Sequence, residues 1–276
     1  MLTDLHVHLR KDDPNTPASE AFTTANADRY REVAEERGIT ELGVSEHIYR
    51  FNQSLAVWDH PFWRAEARDD LDDYIGFLRE DTDLRVGIEA DFVFGREDRL
   101  ANLLESTDLD YVVGSVHFLG DQAVDHDGYD IWETNTHRPD DVWRRYFETL
   151  GEAAATGMFD ILAHPDLVKV WGARRPYPTG DLRRFYDRAM EGIAEAQPAI
   201  ELSTAGLRKP VGEMYPAVPF LEMCLDAGCP ITLSSDAHEP AHSEGVKHLQ
   251  GLLVAVTDVR GLAVFEGRER RLEPIG

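Results

Sequence analysis

The sequence predicts an α/β barrel related to the TIM fold, and three observations lead to that prediction. Short runs rich in Val, Ile and Leu alternate with amphipathic helical stretches, a pattern that favours parallel strands joined by right-handed crossovers. Seven such units fit within 276 residues, a length at which α/β barrels are commonly one domain. Almost every run ends in a histidine or an acid, and the carboxyl ends of barrel strands meet on one rim. A doubly wound open sheet is the alternative architecture.

Seven runs are predicted to be strands because each is short, rich in branched apolar residues and flanked by Gly, Pro, Asp or Ser. They cover residues 2–9, 39–47, 84–92, 111–118, 159–166, 199–204 and 230–238. Their carboxyl ends read HVH, SEH, GIEAD, SVH, AHPD, ELST and SDAH. Nearly every strand therefore delivers a side chain that can bind a metal ion to the same rim.

Four stretches between these runs have apolar residues at helical spacing. They cover residues 27–38, 138–157, 182–196 and 219–228. The first of them places Tyr30, Val33 and Ala34 on one face and ends at Gly38, as a helix with a C-terminal glycine cap does. The chain contains no tandem repeat, low-complexity tract or linker. We therefore expect a single barrel domain over residues 1–276.

Composition and charge limit the classes of molecule that the protein is expected to bind. The 28 basic and 52 acidic residues give a formal net charge of −24, which repels nucleic acid and anionic membranes. The N-terminus, MLTDLHVHLR, lacks the profile of a signal peptide, so we expect a cytoplasmic protein with a small-molecule substrate. Cys224 and Cys229 fit neither a zinc pair nor a disulfide framework and are predicted to be buried apolar residues. The sequence leaves the oligomeric state and the cause of the acidity open.

The first and last strands carry the strongest metal-binding pattern. His6 and His8 are two residues apart, so in a strand both side chains point to one face and can chelate one ion. Asp236 and His238 repeat this spacing at the last strand. Glu89 lies among apolar neighbours, where a carboxylate is costly unless it is paired or bound to metal.

Three further histidines, His47, His117 and His164, each end an apolar run. Each alone is compatible with a structural role, but together with the preceding five residues they make eight N/O ligands on one rim. Eight exceed what one tetrahedral ion uses, so we expect two or three divalent ions, with Zn, Mn or Fe favoured by mixed imidazole and carboxylate ligands. Paired ions activate water and hold the attacking and leaving oxygens of a phosphoester, so the predicted activity is that of a metal-dependent phosphatase.

The motifs DLHVH, SEH, GIEAD, GSVH, AHPD and SDAH, in this order, resemble the polymerase-and-histidinol-phosphatase (PHP) family through nearly the whole chain. The segment IELSTAGLRKPVGEMYP, residues 200–216, followed by ITLSSDAH, is similar to the histidinol-phosphatase branch. The resemblance implies a distorted (β/α)7 TIM-like barrel, a trinuclear metal site, and hydrolysis of L-histidinol phosphate in histidine biosynthesis.

The resemblance also implies which residues bind each ion. By position, the ligands are His6, His8, Glu89 and Asp236 for the first ion, Glu89, His117 and His164 for the second, and His47 and His238 for the third. Glu89, Asp236 and His238 are the expected catalytic residues, and Asp236 or His238 is predicted to pass a proton to the leaving alkoxide.

One position departs from the family pattern. Family members usually carry a further histidine several residues after HxH, whereas this chain reads LRKDDPNTP. We expect Asp12 or Asp13 to replace it as an oxygen ligand. The alternative is a solvated acidic loop, which would leave the third site weak or empty.

The predicted phosphate-binding residues are basic side chains that follow the fifth and sixth strands. They are Lys169, Arg174, Arg175, Arg208 and Lys209, with Arg208 ranked first, because Arg suits bidentate phosphate contact; exposed solubilising charge is the other interpretation. Two other functions remain open: a PHP phosphoesterase for another small phosphomonoester or nucleotide, and a metal-binding protein without catalytic activity.

Overall fold

The barrel strands follow one another in space in the order in which they occur in the sequence. The structure is a computed structural model that describes residues 1–13, 16–133 and 137–275. Its strands are β1 (Thr3–Asp4), β2 (Glu41–His47), β3 (Arg85–Asp91), β4 (Tyr111–Ser115), β5 (Phe118–Leu119), β6 (Gln122–Ala123), β7 (Ile161–Leu162), β8 (Ala199–Ser203), β9 (Ile231–Ser234), β10 (Gly261–Glu266) and β11 (Glu269–Pro274). The main sheet is parallel with the order β1-β2-β3-β4-β7-β8-β9. This arrangement confirms the seven predicted strands.

The first and last strands lie side by side and close the barrel. Thr3 donates its hydroxyl to the Leu233 carbonyl at 3.0 Å, and Val7 and Ala237 form a parallel bridge. The backbone N–H of His8 donates to the Ala237 carbonyl at 2.7 Å. The barrel prediction is therefore confirmed over the open sheet, and the HVH segment lies beside SDAH.

Several strands are shorter than the sequence predicts because the chain leaves the sheet before the end of the apolar run. The fifth predicted run ends its ladder at Leu162, and the seventh ends at Ser234. Two residues beyond each of these points, His164 and Asp236 adopt left-handed backbone conformations with φ of 25° and 51°. A non-glycine residue in this region is strained and is commonly found at functional sites.

The helices alternate with the strands. They are α1 (Ala18–Ala21), α2 (Thr24–Glu36), α3 (Pro61–Glu66), α4 (Leu71–Asp81), α5 (Glu97–Glu105), α6 (Pro139–Ala155), α7 (Arg183–Ala196), α8 (Val218–Asp226) and α9 (Val246–Val256). Four of them, α2, α6, α7 and α8, match the four predicted stretches. The predicted glycine cap is confirmed, since Gly38 has φ of 75°. Among the described residues, no helix has the length and apolar character of a membrane span.

Helices α6 and α7 pack closely at a pair of glycines. A Cβ atom built on Gly192 would lie 2.0 Å from the backbone oxygen of Gly151. This distance is far inside van der Waals contact, so only glycine at residue 192 permits the approach. The contact fixes two adjacent crossover helices against the β4–β7–β8 part of the barrel.

A C-terminal hairpin, which the sequence did not predict, closes the amino-terminal end of the barrel. Strands β10 and β11 pair antiparallel, and Ala263 and Phe265 of β10 pack in one buried cluster with Leu5, Tyr111, Val113, Ile161, Ala163 and Ala199. The hairpin turn is held by Asp110, which accepts a hydrogen bond from the Gly267 N–H at 3.1 Å. The opposite, carboxyl-terminal end is left for the functional site.

Candidate metal and active site

The eight predicted metal ligands meet at the carboxyl-terminal end of the barrel. Seven are buried and His238 is partly buried; the set is His6, His8, His47, Glu89, His117, His164, Asp236 and His238. Each comes from the end of a barrel strand or from the residues that follow it. Strand geometry therefore accounts for the convergence that the motif spacing predicted.

Glu89 lies at the centre of this cluster. Its Oε1 is 3.1 Å from Nε2 of His164 and 3.4 Å from Nε2 of His117. Its Oε2 is 3.3 Å from Nε2 of His6 and 2.5 Å from Nδ1 of His47. Each carboxylate oxygen thus faces a different group of imidazoles, which is the arrangement needed for a carboxylate shared by two ions.

Asp236 forms a second centre in the cluster. Its Oδ1 is 3.3 Å from Nε2 of His8 and 3.3 Å from Nε2 of His238, and 3.8 Å from Nε2 of His6. The left-handed backbone of Asp236 turns this carboxylate toward the HVH segment. His8 consequently lies between the two carboxylates, with its Nε2 3.6 Å from Oε2 of Glu89.

The donor set fits divalent metal ions. Three groups have ligand atoms within 4.8 Å of one another: His6, His8 and Asp236; His6, Glu89 and His164; and His8, His47 and His238. Most donor–donor separations quoted above are near the edge of a tetrahedron with metal–ligand bonds of about 2.1 Å, which is about 3.4 Å. Buried atoms at the centre, including Nε2 of His6, Nε2 of His8 and Oε2 of Glu89, have no hydrogen-bond partner among the described residues. Such atoms are costly unless a ligand satisfies them.

Comparison with known proteins agrees with this geometry. The family model described as "PHP domain" matches residues 4–205. The chain belongs to the PHP family.

Two relatives and one solved structure show the extent of the likeness. A Deinococcus radiodurans protein named "Probable histidinol-phosphatase" is 30% identical over 285 residues, covering 99% of each chain. A Schizosaccharomyces pombe protein of the same name is 22% identical over 194 residues, covering 64% of this chain and 63% of its own. The Lactococcus lactis histidinol phosphate phosphatase, solved with zinc, L-histidinol and phosphate, superposes with a TM-score of 0.67 at 18% identity, covering 98% of each chain.

The electrostatics of the PHP cluster favour charged carboxylates. Burial raises the pKa of Glu89, but the nearby imidazoles of His47 and then His6 lower it well below its usual range. Burial likewise opposes ionisation of Asp236, whose pKa is nevertheless lowered well below normal by His6 and His238. Burial lowers the pKa of His47 well below that of a free imidazole. The cluster therefore offers ionised carboxylates and a neutral His47. Burial also lowers the pKa of His6, His117 and His238, but the nearby acids outweigh it and raise the pKa of each above that of a free imidazole. Metal binding at those three histidines would accordingly release protons.

Glu201 is a buried residue of the PHP site that the sequence analysis missed. Its Oε1 lies 2.7 Å from Nδ1 of His6, and it accepts hydrogen bonds from the backbone N–H of His164 and the hydroxyl of Ser234. Asp91, two residues after Glu89 in β3, has the same relation to His117, at 2.7 Å from Nδ1. The sequence did contain a signal for Glu201, a carboxylate within the apolar run AIELST. A signal of the same kind identified Glu89.

Asp12 lies beside the cluster as a partner of His238. Its Oδ1 is 3.0 Å from Nδ1 of His238 and accepts a hydrogen bond of 3.0 Å from Nη2 of Arg50. Arg50 is buried and also donates to Glu46 at 2.5 Å. Asp13 lines the cavity above. His238 forms a group of three possible ligands with His8 and His47, and this group does not include Asp12 or Asp13. Direct metal binding by either aspartate stays a prediction.

A cavity of about 380 Å³ opens onto the ligand cluster. Its lining includes predicted metal ligands, several aromatic rings and both signs of charge: His47, Tyr49, Arg50, Phe62, Glu66, His117, Phe118, Asp125, His126, His164, Trp171, Lys209, Tyr215, Asp236 and His238. A volume of this size is large enough for a small substrate, and the cavity lies against the predicted ligands.

The structure brings only part of the predicted basic set to this cavity. Lys209 lines it, together with Arg10, Lys11 and Arg50, which were not predicted. Arg208 donates to the backbone carbonyls of Ser235 at 2.6 Å and Asp236 at 2.9 Å. It therefore supports the loop that carries Asp236, while its place in phosphate binding stays a prediction.

Lys169 requires a correction. The sequence suggested a phosphate-binding ammonium, but the side chain is 1% exposed and its Nζ lies 2.9 Å from Oδ2 of Asp166. Arg175 is paired with Asp130 at 2.6 Å, and Arg174 is exposed. None of these three is among the described residues that line the cavity. Lys169 and Arg175 instead form ion pairs with acids of the surrounding loops. The sequence spacing gave no sign of these pairs.

Proposed function

We propose that this PHP protein hydrolyses L-histidinol phosphate to L-histidinol and phosphate. The observation that carries the proposal is the buried cluster around Glu89 and Asp236 below a substrate-sized cavity. It occurs in a chain that is 30% identical, over its whole length, to a protein named as a histidinol-phosphatase. Mixed imidazole and carboxylate donors beside such a cavity suit a phosphomonoester hydrolase.

We propose that the eight-residue cluster binds two or three divalent ions. Such ions supply charge neutralisation for the phosphoryl oxygens and make water more acidic. Glu89 would be shared between ions because its two oxygens face different imidazoles. The zinc bound to the Lactococcus lactis protein supports zinc, with Mn and Fe as the alternatives that the same donors allow.

Side chains of the site can transfer the proton that the leaving group needs. Hydrolysis moves one proton: the attacking water loses it as its oxygen joins phosphorus, and the departing alkoxide takes it up as the ester P–O bond breaks. Asp12 is placed to keep a proton on Nδ1 of His238, 3.0 Å away, which leaves Nε2 of His238 facing Asp236 at 3.3 Å. We assign the transfer to this Asp236–His238 pair at the cavity wall.

The positive side chains of the cavity support binding of the phosphate. Lys209 and Arg50 line the space beside His47, Asp236 and His238. In a protein of net charge −24, local positive charge is needed to attract an anionic substrate. A role in histidine biosynthesis in the cytoplasm follows from the proposed reaction and stays a prediction, as does the exclusion of nucleic acid as a substrate.

A phosphate-release assay over small phosphomonoesters tests the proposal. Protein loaded with Zn or Mn should release phosphate from L-histidinol phosphate far faster than from nucleoside monophosphates or simple alkyl phosphates. Equal rates on all of them would overturn the assignment to histidinol phosphate. Fewer than two bound ions per chain together with no turnover would favour a metal-binding protein without catalysis.

A pair of histidine variants tests the ligand cluster. His117→Ala removes an imidazole 3.4 Å from Oε1 of Glu89 and should abolish turnover while leaving the circular dichroism spectrum unchanged. The matched control is His248→Ala, an exposed residue of α9, which should retain wild-type activity. Unchanged turnover in His117→Ala would contradict the proposed metal centre.

A further inference from the structure

One carboxylate in the cavity has no role in the cluster described above. Asp125 follows the β5–β6 hairpin, directly after Val124. Two hydrogen bonds fix the backbone of Val124. The Val124 N–H donates to the His117 carbonyl at 2.8 Å, and the Val124 carbonyl accepts from Nε1 of Trp171 at 2.8 Å. The backbone next to Asp125 is therefore fixed beside a predicted metal ligand.

The Asp125 carboxylate faces the cavity, and no side chain among the described residues pairs with it. It is half-buried, lines the cavity, and forms no hydrogen bond or ion pair with the side chains of the described residues. Its charge reaches His117: burial lowers the pKa of that imidazole, and Asp91 followed by Asp125 raises it. Two other acids of the same loop, Asp127 and Asp130, are both paired with Arg175. Asp125 therefore differs from these neighbours in having its charge directed into the cavity.

A free carboxylate here disfavours a substrate that carries only a phosphate. An acid beside the phosphoryl site repels the phosphate, and the repulsion is strong in a partly buried setting. The carboxylate favours binding when the same substrate also carries a cation close to the ester. An alkyl amine is protonated at neutral pH, and a charge-assisted hydrogen bond to a carboxylate is among the stronger polar contacts.

Aromatic rings beside Asp125 complete a subsite for a flat group. The ring of His126 lies edge-on to Phe62 with centroids 4.5 Å apart, and both line the cavity with Phe118 and Trp171. Rings arranged in this way stack or pack edge-to-face against a planar heterocycle. The cavity thus has the predicted ion ligands at one side, the Asp125 carboxylate next to His117, and an aromatic wall.

We propose that Asp125 binds the protonated amine of the substrate and so selects phosphate esters of amino alcohols over simple monoesters. This inference rests on the proposed function and deepens it, because L-histidinol phosphate carries an ammonium on the carbon next to its ester carbon. The aromatic wall would receive the substituent on that carbon. Asp125 is then a specificity-determining residue, separate from the residues assigned to the ions and to the proton transfer.

The test compares two substrates that differ only in the amine, L-histidinol phosphate and 3-(imidazol-4-yl)propyl phosphate. Asp125→Asn should lower kcat/KM for the amine substrate by about 10–100-fold, mainly through KM, since a hydrogen bond between charged partners is lost. For the substrate without the amine, kcat/KM should stay within about threefold of wild type or rise, because no contact is lost and a repulsion is relieved. Asp127→Asn, an exposed acid two residues away, is the matched control and should behave as wild type on both substrates.

The possible outcomes separate this inference from the proposed function. A wild-type enzyme that hydrolyses both substrates equally well keeps the phosphatase assignment and overturns the ammonium site, and this comparison needs no variant. An equal loss on both substrates in Asp125→Asn also overturns it, because the residue would then act through the ions or the fold. No turnover of either substrate by metal-loaded wild type overturns the proposed function and the inference together.

Discussion

Oε1 of Glu201 lies 2.7 Å from Nδ1 of His6, which leaves Nε2 of His6 directed at Glu89 and Asp236. The same carboxylate accepts the backbone N–H of His164, a residue with φ of 25°. One buried acid thus orients one candidate ligand through its ring and another through its backbone. Carboxylates in this position fix the tautomer of a ligating histidine and raise its basicity.

The first prediction concerns this orientation. Glu201→Gln should weaken zinc affinity by about 10–100-fold, because the amide holds the His6 ring less firmly and with less negative charge. Competition against a chromogenic chelator measures the affinity, and circular dichroism checks the fold. Glu191→Gln, on an exposed position of α7, is the control. Wild-type zinc affinity in Glu201→Gln would show that the contact does not tune the site.

The second prediction concerns removal of the ions. Stripping the protein with a chelator should lower its unfolding temperature, and adding zinc should restore it. A ligand that binds only the folded state stabilises by about 2.7 kcal/mol at a concentration of 100 times Kd. Glu89→Gln should lose most of this zinc-dependent shift because Glu89 lies within 3.6 Å of five of the imidazoles. Differential scanning calorimetry gives the comparison; a full zinc shift in the variant would argue against a shared Glu89.

The third prediction concerns the hairpin at the other end of the barrel. Asp110 accepts the N–H of Val86 at 2.9 Å and of Gly267 at 3.1 Å, joining β3 to the β10–β11 turn. Asp110→Asn keeps only one acceptor oxygen, so it should lower the free energy of unfolding by about 1–3 kcal/mol at pH 7. Urea denaturation measures the loss. Asp108→Asn, at an exposed position paired with Arg79, should change stability by less than about 1 kcal/mol.

The contribution of Asp110 to the free energy of unfolding depends on pH. Burial raises the pKa of Asp110, but hydrogen bonds from Val86 and then Arg79 outweigh it, so the folded-state pKa is lowered. The stabilisation is therefore complete above the unfolded-state pKa of about 3.9 and is lost as the pH falls through the lower folded-state value. The difference between wild type and Asp110→Asn should accordingly be constant from pH 6 to 8 and shrink below pH 4. A difference that grows in acid would contradict the assignment.

The fourth prediction compares two helical glycines. Gly192→Ala in α7 places a Cβ 2.0 Å from the Gly151 oxygen, so the helices must separate, and we expect a loss of about 1–3 kcal/mol. Gly76→Ala in α4 meets no atom within 4 Å and should stabilise by up to about 1 kcal/mol, the difference in helix propensity. Chemical denaturation of both variants measures the two effects. Equal effects in the two variants would show that helix packing at Gly192 is not limiting.

Much of the barrel and of its candidate ligands was predictable from the sequence. Apolar runs and helical spacing are local properties, and they identified the seven strands and the four helices α2, α6, α7 and α8. Motif spacing identified the cluster around Glu89 because parallel strands all end on one rim. Helices α1, α3, α4, α5 and α9 and the C-terminal hairpin were not predicted, since the packing of Phe265 in the barrel depends on residues far away in the chain.

The partners of the charged groups depend on tertiary structure. Sequence order placed Lys169 near the functional rim, but only the fold shows Asp166 and the Met214 carbonyl around its ammonium. It likewise shows Glu201 beneath His6, 195 residues earlier in the chain. The sequence by itself determined the strand order and the type of chemistry, because both follow from local patterns. Only the tertiary structure decided which carboxylates bind an arginine or a lysine, which orient a histidine, and which, like Asp125, are left to meet a substrate, since charge pairing depends on distance in space.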